Sequence, residues 1–394
     1  MSDKIFNPNR LRLARERRSL TIKELAESIN MTSRMISAYE NSGKKDKETI
    51  PPNTTLRLIA QTLNYPEAFF YSEDIEELDY ESVSFRSMKS MTAKQRNAAL
   101  AAARIAFVFN DWLEENFELP VTDLCNLRES EIQNPEVASR VLREKWALGE
   151  APIKNIIHLL ESKGVKIFSL AEKNREVDAF SFWKKDTAFI FLNTQKSAER
   201  SRFDAAHELG HLVLHRHGIQ VSDNNEDLNV EDDALEEKEN KRAIEREADK
   251  FASAFLMPEA SIRANAPSFA TIDNLVKLKK RWDVSIASLV RRLYDLNLIS
   301  EWHYRTLTIE MSKRGMFKKE PEGISKEKSQ IFEKVFKELR QEGINRIDIA
   351  KQLNLPADEI DQYVFNLAFI GATIKGSYQG KGIENTKPKL ELVK

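Results

Sequence analysis

His207, Glu208 and His211 stand in the order H-E-x-x-H within a run, Arg202 to His215, that otherwise reads as an amphipathic helix. Residues four apart on a helix share a face, so both imidazoles can offer a nitrogen to one divalent cation. Glu208 follows the first of them, where a carboxylate can take a proton from water on that cation. With six His and 62 acids in 394 residues, an H-[DE]-x-x-H arises by chance roughly 0.014 times, so the match signals a zinc hydrolase. Such a centre needs a third protein ligand and keeps a fourth position for water. Glu245 and Asp249, on an amphipathic stretch stopped by Pro258, are four apart. One can bind metal while the other hydrogen-bonds the far nitrogen of a ligand histidine.

Several elements must hold these groups. Val165–Phe168, Ala179–Trp183 and Ala188–Leu192 are short β-rich runs that read as a small sheet, the last two joined by a Lys184–Thr187 hairpin turn. Residues Ala188 to Asn193 are expected to form the edge strand beside the metal helix, where an extended substrate backbone can pair; a purely structural strand is the competing reading. Upstream, Met91–Phe117 reads as one long helix ended by Pro120, with further helices over Glu136–Trp146 and Ile153–Lys163. From Asp223 to Asn240 there are nine acids and one base, which reads as a solvated loop or a gate over the cleft. Leu275–Leu296 gives two helices about Asp283-Val284-Ser285, and further helices follow Gln330, with protein contact the preferred role. A loose Gly- and Lys-rich tail ends the chain.

The amino terminus has a separate character. Thr21 and Glu24 form a capping box, Leu25, Ala26 and Ile29 a packing stripe, Asn30 a left-handed turn, and Thr32 a second cap before Ile36. Twelve Lys/Arg face seven acids between Met1 and Tyr65, while the whole chain carries −1. That local excess is the footprint phosphate binding needs; a solvated basic face on a protein-contact domain is the competing reading. A single cysteine, Cys125, excludes an internal disulfide framework and cysteine-rich zinc modules. No signal-peptide pattern or membrane-spanning run is present, so a cytoplasmic protein is expected.

Leu20–Asn41, continued by Pro52–Phe70, resembles the Xre/Cro helix-turn-helix of phage and bacterial repressors. The resemblance implies that Ser33, Arg34 and Ser37 face base edges of double-stranded DNA. Ile22 departs from it, standing where the family usually has a Gln that contacts the DNA backbone, which implies weaker affinity. Farther along, Phe85-Arg86-Ser87, Asp178-Ala179-Phe180-Ser181, Arg202–His215, Glu245-x-Glu247-Ala248-Asp249-x-Phe251-Ala252, Leu256-Met257-Pro258, Arg281–Ile286 and Leu289–Leu293 resemble the ImmA/IrrE metallopeptidases fused behind an Xre domain. The resemblance implies one zinc ion held by His207, His211 and Glu245, Glu208 as general base, and Asp249 orienting a ligand histidine. Glu247 is the alternative third ligand. His215, one turn beyond His211, reads as a solvated or packing histidine that can also assist an oxyanion; His217 has no assigned role.

The fold expected is α+β and mostly helical. A five-helix Xre-type domain (1–72) is followed by a helical linker region (80–148) and a zincin-like metallopeptidase domain with a small β-sheet (149–265). A helical subdomain (266–322), a small helix-turn-helix-like module (323–376) and a flexible tail (377–394) complete it. The function expected is a DNA-binding zinc metalloendopeptidase that cleaves an Xre-type repressor in stress or mobile-element control, acting at an operator-like site and capable of homodimerising. The alternative is a transcriptional regulator or antitoxin-like protein that uses the metallopeptidase fold to sense a ligand or partner without turnover.

Overall fold

The computed structural model describes residues 5–43, 49–78, 92–127, 132, 134–170, 179–215 and 233–368, apart from the side chains of 233–238 and 241. Phe85-Arg86-Ser87, Asp178, His217, residues 223–232 of the acidic run and the tail lie outside these described residues. The amino-terminal unit comprises α1 (Pro8–Arg17), α2 (Ile22–Ser28), α3 (Ser33–Glu40), α4 (Asn53–Leu63) and, in fifth place, a 3-10 turn, Glu67–Tyr71. Thr21 and Glu24 close the capping box on α2, Asn30 takes φ 53°, and Thr32 caps α3. These local signals agree because each satisfies a backbone group the helix end leaves open.

The spine of the molecule is α5 (Ala93–Asn116). Its middle, from Ala98 to Leu113, is covered nearly all round, with Asp111 alone exposed there, and its alanines let neighbours approach closely. Phe107 meets Phe182 and Phe189 of the sheet at ring separations of 5.7 and 5.2 Å. On its other faces it packs on α1, and the carbonyl of Ala102 accepts from the Tyr363 hydroxyl at 2.9 Å. The stretch expected to be a linker region thus contains the helix on which the other parts converge.

After α6 (Pro135–Lys145) and α7 (Ile156–Ser162) come β1 (Lys166–Ser169), β2 (Ala179–Lys184) and β3 (Thr187–Leu192), in spatial order β1-β3-β2. The expectation of an edge strand at Ala188–Asn193 is wrong: β3 is central, parallel to β1 and antiparallel to β2. Its unbroken run Phe189-Ile190-Phe191-Leu192 is buried on both faces, as a central strand requires. The edge strand on this side is β2, against which α8 (Ala198–Gly210) packs. The chain continues from α8 into a π-helical turn, His211–His215, and returns as α9 (Asp233–Leu256) packed along α8. Asp233–Asn240, the second part of the acidic run, is helix and not loop.

Then follow α10 (Glu259–Asn265), α11 (Ile272–Leu278), α12 (Ile286–Asp295) capped by Ser285, α13 (Glu301–Lys313), α14 (Gln330–Gln341), α15 (Arg346–Gln352) and α16 (Ala357–Tyr363). The last of these docks on the amino-terminal unit. Glu359, with no exposed side chain, receives Arg17 Nε at 3.0 Å and the Tyr65 hydroxyl at 3.0 Å, and Arg18 Nη1 lies 3.3 Å away. Burial pushes its pKa up, but Arg17 and Arg18 outweigh burial and hold the carboxyl below 4.5. The stabilisation is therefore complete above pH 4.5 and is lost as pH falls through the lowered value. Glu359→Ala, which strands a buried guanidinium, is expected to cost about 3–5 kcal/mol in urea unfolding at neutral pH. The gap between wild type and variant should narrow on acidification below pH 4.5.

Candidate metal centre

Ser197 caps α8, and farther along the helix His207 and His211 project from the same face with their side chains 1% exposed. Their Nε2 atoms are 3.0 Å apart. From α9, Glu245 brings Oε2 to 3.4 Å from His207 Nε2 and Oε1 to 3.6 Å from His211 Nε2. These three residues converge, with one ligand atom of each within 4.8 Å of the others. Tetrahedral zinc with ligands about 2.0–2.1 Å away has ligand atoms roughly 3.3 Å apart, so the donor set fits that ion in chemistry and in size.

The surroundings fix how the donors point. Asp249 Oδ1 lies 2.9 Å from His207 Nδ1, so in the neutral ring this nitrogen carries the proton and Nε2 is the atom that can give its lone pair to a cation. Burial works against a second proton on His207, yet the hydrogen bonds to Asp249 and Glu245 outweigh it and raise the pKa to about 9. The same carboxylates that favour a proton there favour a metal cation. Glu208 is 1% exposed, and its Oε2 accepts from the Ser181 hydroxyl of β2 at 2.7 Å. That bond holds the carboxylate at the sheet side of the donor cluster.

Glu247, the alternative third ligand, does not join the cluster: its Oε2 lies 3.0 Å from His215 Nε2. His215 is packed, as one expectation had it, with a side chain 8% exposed, and burial pushes its pKa below the usual histidine value despite the Glu247 carboxylate. Ser181 had no assigned role. Its signal in the sequence is a lone hydroxyl in Ala179-Phe180-Ser181-Phe182-Trp183, where four apolar residues are all buried. On α3, Ser33 and Arg34 are exposed and Ser37 is half-buried.

Residues 160–294 match the IrrE N-terminal-like domain, a peptidase family, and residues 11–70 match a helix-turn-helix family. The chain carries an IrrE N-terminal-like domain behind a helix-turn-helix domain. No match was found among curated proteins. The IrrE N-terminal-like domain runs from the end of α7 through α12, so it includes the sheet, the converging histidines and Glu245. The chain therefore joins a DNA-binding fold to a metallopeptidase-like one, as its motifs imply. Among the described residues no helix is long and apolar enough to cross a membrane.

One glycine sets the spacing of the IrrE N-terminal-like domain's two central helices. A Cβ on Gly210 would sit 3.0 Å from Phe251 Cδ1 and 3.4 Å from Ala248 Cα. Gly210→Ala gains up to about 1 kcal/mol of helix propensity against a slight clash. Gly210→Val adds two more methyls and keeps only part of that gain, so overpacking should dominate at about 1–3 kcal/mol. Urea unfolding of the two variants is expected to rank valine clearly below alanine.

Proposed function

We propose that the protein is a zinc-dependent metalloendopeptidase that cleaves an Xre-type repressor and is brought to an operator-like DNA site by its helix-turn-helix domain. The observation that carries the reading is the convergence of His207, His211 and Glu245 beside a buried Glu208 whose carboxylate is held by Ser181. Zinc held by those three residues supplies Lewis acidity toward a peptide carbonyl and toward water. Asp249 keeps the His207 ring in the tautomer that presents Nε2. Glu208 accepts the proton of the attacking water and returns it to the leaving amine, and Ser181 keeps its carboxylate in register for both transfers. The edge of β2, next to α8, is where an extended substrate backbone pairs. Ser33, Arg34 and Ser37 face the major groove.

The repressor assignment draws on the joining of the two domains, since a protease tethered to a DNA-reading domain meets other proteins at operators. It also leads to regulation in stress or of mobile elements, in a cytoplasmic setting and with DNA bound as a homodimer. The decisive experiment incubates wild type and Glu208→Gln with the Xre-type repressor encoded nearest to the chain, with zinc measured on both. Equal zinc with cleavage slowed by about 10²–10⁴-fold in the variant is expected. A zinc-loaded wild type that leaves the repressor intact, while both proteins bind DNA alike, replaces this reading with that of a non-proteolytic regulator. Arg34→Ala is expected to weaken operator binding by about 1–3 kcal/mol in a mobility-shift titration and to relax sequence preference at one position.

A further inference from the structure

The turn that follows the H-E-x-x-H leaves the α-helical path. His211–His215 winds as a π-helical turn, a departure that tends to mark functional positions because it re-aims side chains. Here it sets His215 between two groups: His215 Nδ1 is 3.1 Å from His211 Nδ1, and His215 Nε2 is 3.0 Å from Glu247 Oε2.

A chain of hydrogen bonds has a direction, and the carboxylate at its end sets it. Glu247 only accepts, so His215 Nε2 carries a proton. In a neutral ring Nδ1 is then bare and accepts from His211 Nδ1–H. That leaves His211 Nε2 with its lone pair, 3.0 Å from His207 Nε2 and 3.6 Å from Glu245 Oε1. We propose that Glu247 and His215 form a positioning relay that fixes the tautomer and ring orientation of His211 for metal binding. The inference rests on the zinc reading above and extends it. Both histidines are then set from α9: His207 by Asp249 directly, and His211 by Glu247 through one intervening imidazole. Neither Glu247 nor His215 touches the substrate or the metal. The two carboxylates lie two residues apart on α9, with Ala248 between them buried against α8.

The test is zinc affinity of the full chain by chelator competition, compared among wild type, His215→Phe, His215→Gln and Glu247→Ala. Partners that orient a ligand histidine are worth about 10–100-fold in affinity, and His215→Phe is expected to lose that much. The glutamine variant should recover part of it, because its carbonyl can accept from His211 and its amide can donate to Glu247. Simple space-filling gives the opposite order, since phenylalanine fills the buried volume better. Glu247→Ala, at a side chain 44% exposed, provides a variant whose folding is safe and should shift affinity in the same direction. Nitrogen chemical shifts of labelled imidazoles in zinc-loaded wild type should show His211 protonated at Nδ1. Protonation at Nε2, or unchanged affinity in His215→Phe and Glu247→Ala, overturns the relay alone. A wild type without zinc affinity overturns the relay together with the zinc reading.

Discussion

The site depends on how closely α8 and α9 approach each other. Three donor atoms with converging lone pairs repel one another, so their arrangement has to be imposed by packing elsewhere. Gly210 against Phe251 and Ala248 supplies it: the missing side chain lets the α8 backbone settle on an aromatic ring and a helix backbone. Glu245 lies one turn before Ala248, and His207 one turn before Gly210, so the apolar contact and the polar convergence are parts of one interface. A hydrophobic contact is non-directional, but between two rigid helices it fixes rotation as well as distance. The chemistry of the site is in this sense positioned by residues that take no part in it.

Much of this was legible in residue types and spacing. A four-residue separation is enough to bring His207 and His211 together, because the helix that joins them is local. Capping at Thr21 and Thr32, the turn at Asn30, and the hairpin at Lys185 follow for the same reason: each is decided within a few residues. What spacing does not show is how distant segments register. Glu247 and His215 are 32 residues apart, and their pairing depends on the rotation of α9 about its axis against the π turn. The central place of β3 follows from a parallel partner, β1, brought in from before β2, and an apolar run by itself does not say which strand lies on either side.

Long-range contacts also bind the amino-terminal unit to the rest. The Arg17–Glu359 pair joins residues separated by 342 positions, and nothing in either local pattern announces it. The alanines of α5 are readable as helix formers, but their packing role appears only when the neighbours are seen. A helix with small side chains can be covered on all sides, so the DNA-binding fold, the sheet and the carboxyl-terminal helices share one core across it. Displacement of any one of them exposes surface belonging to the others.

The arginines of α1 carry a different consequence. Arg10, Arg15 and Arg17 are only 7, 8 and 8% exposed, with Arg15 committed to Glu40 and Arg17 to Glu359. They count as positive charge in the composition, but they condense few counterions and have few to release on a polyanion. Each phosphate contact that is not made removes about 0.9 from the slope of log affinity against log salt. A DNA-binding face on this domain would thus be electrostatically thinner than its amino-acid count suggests, with a lower affinity and a shallower dependence on salt.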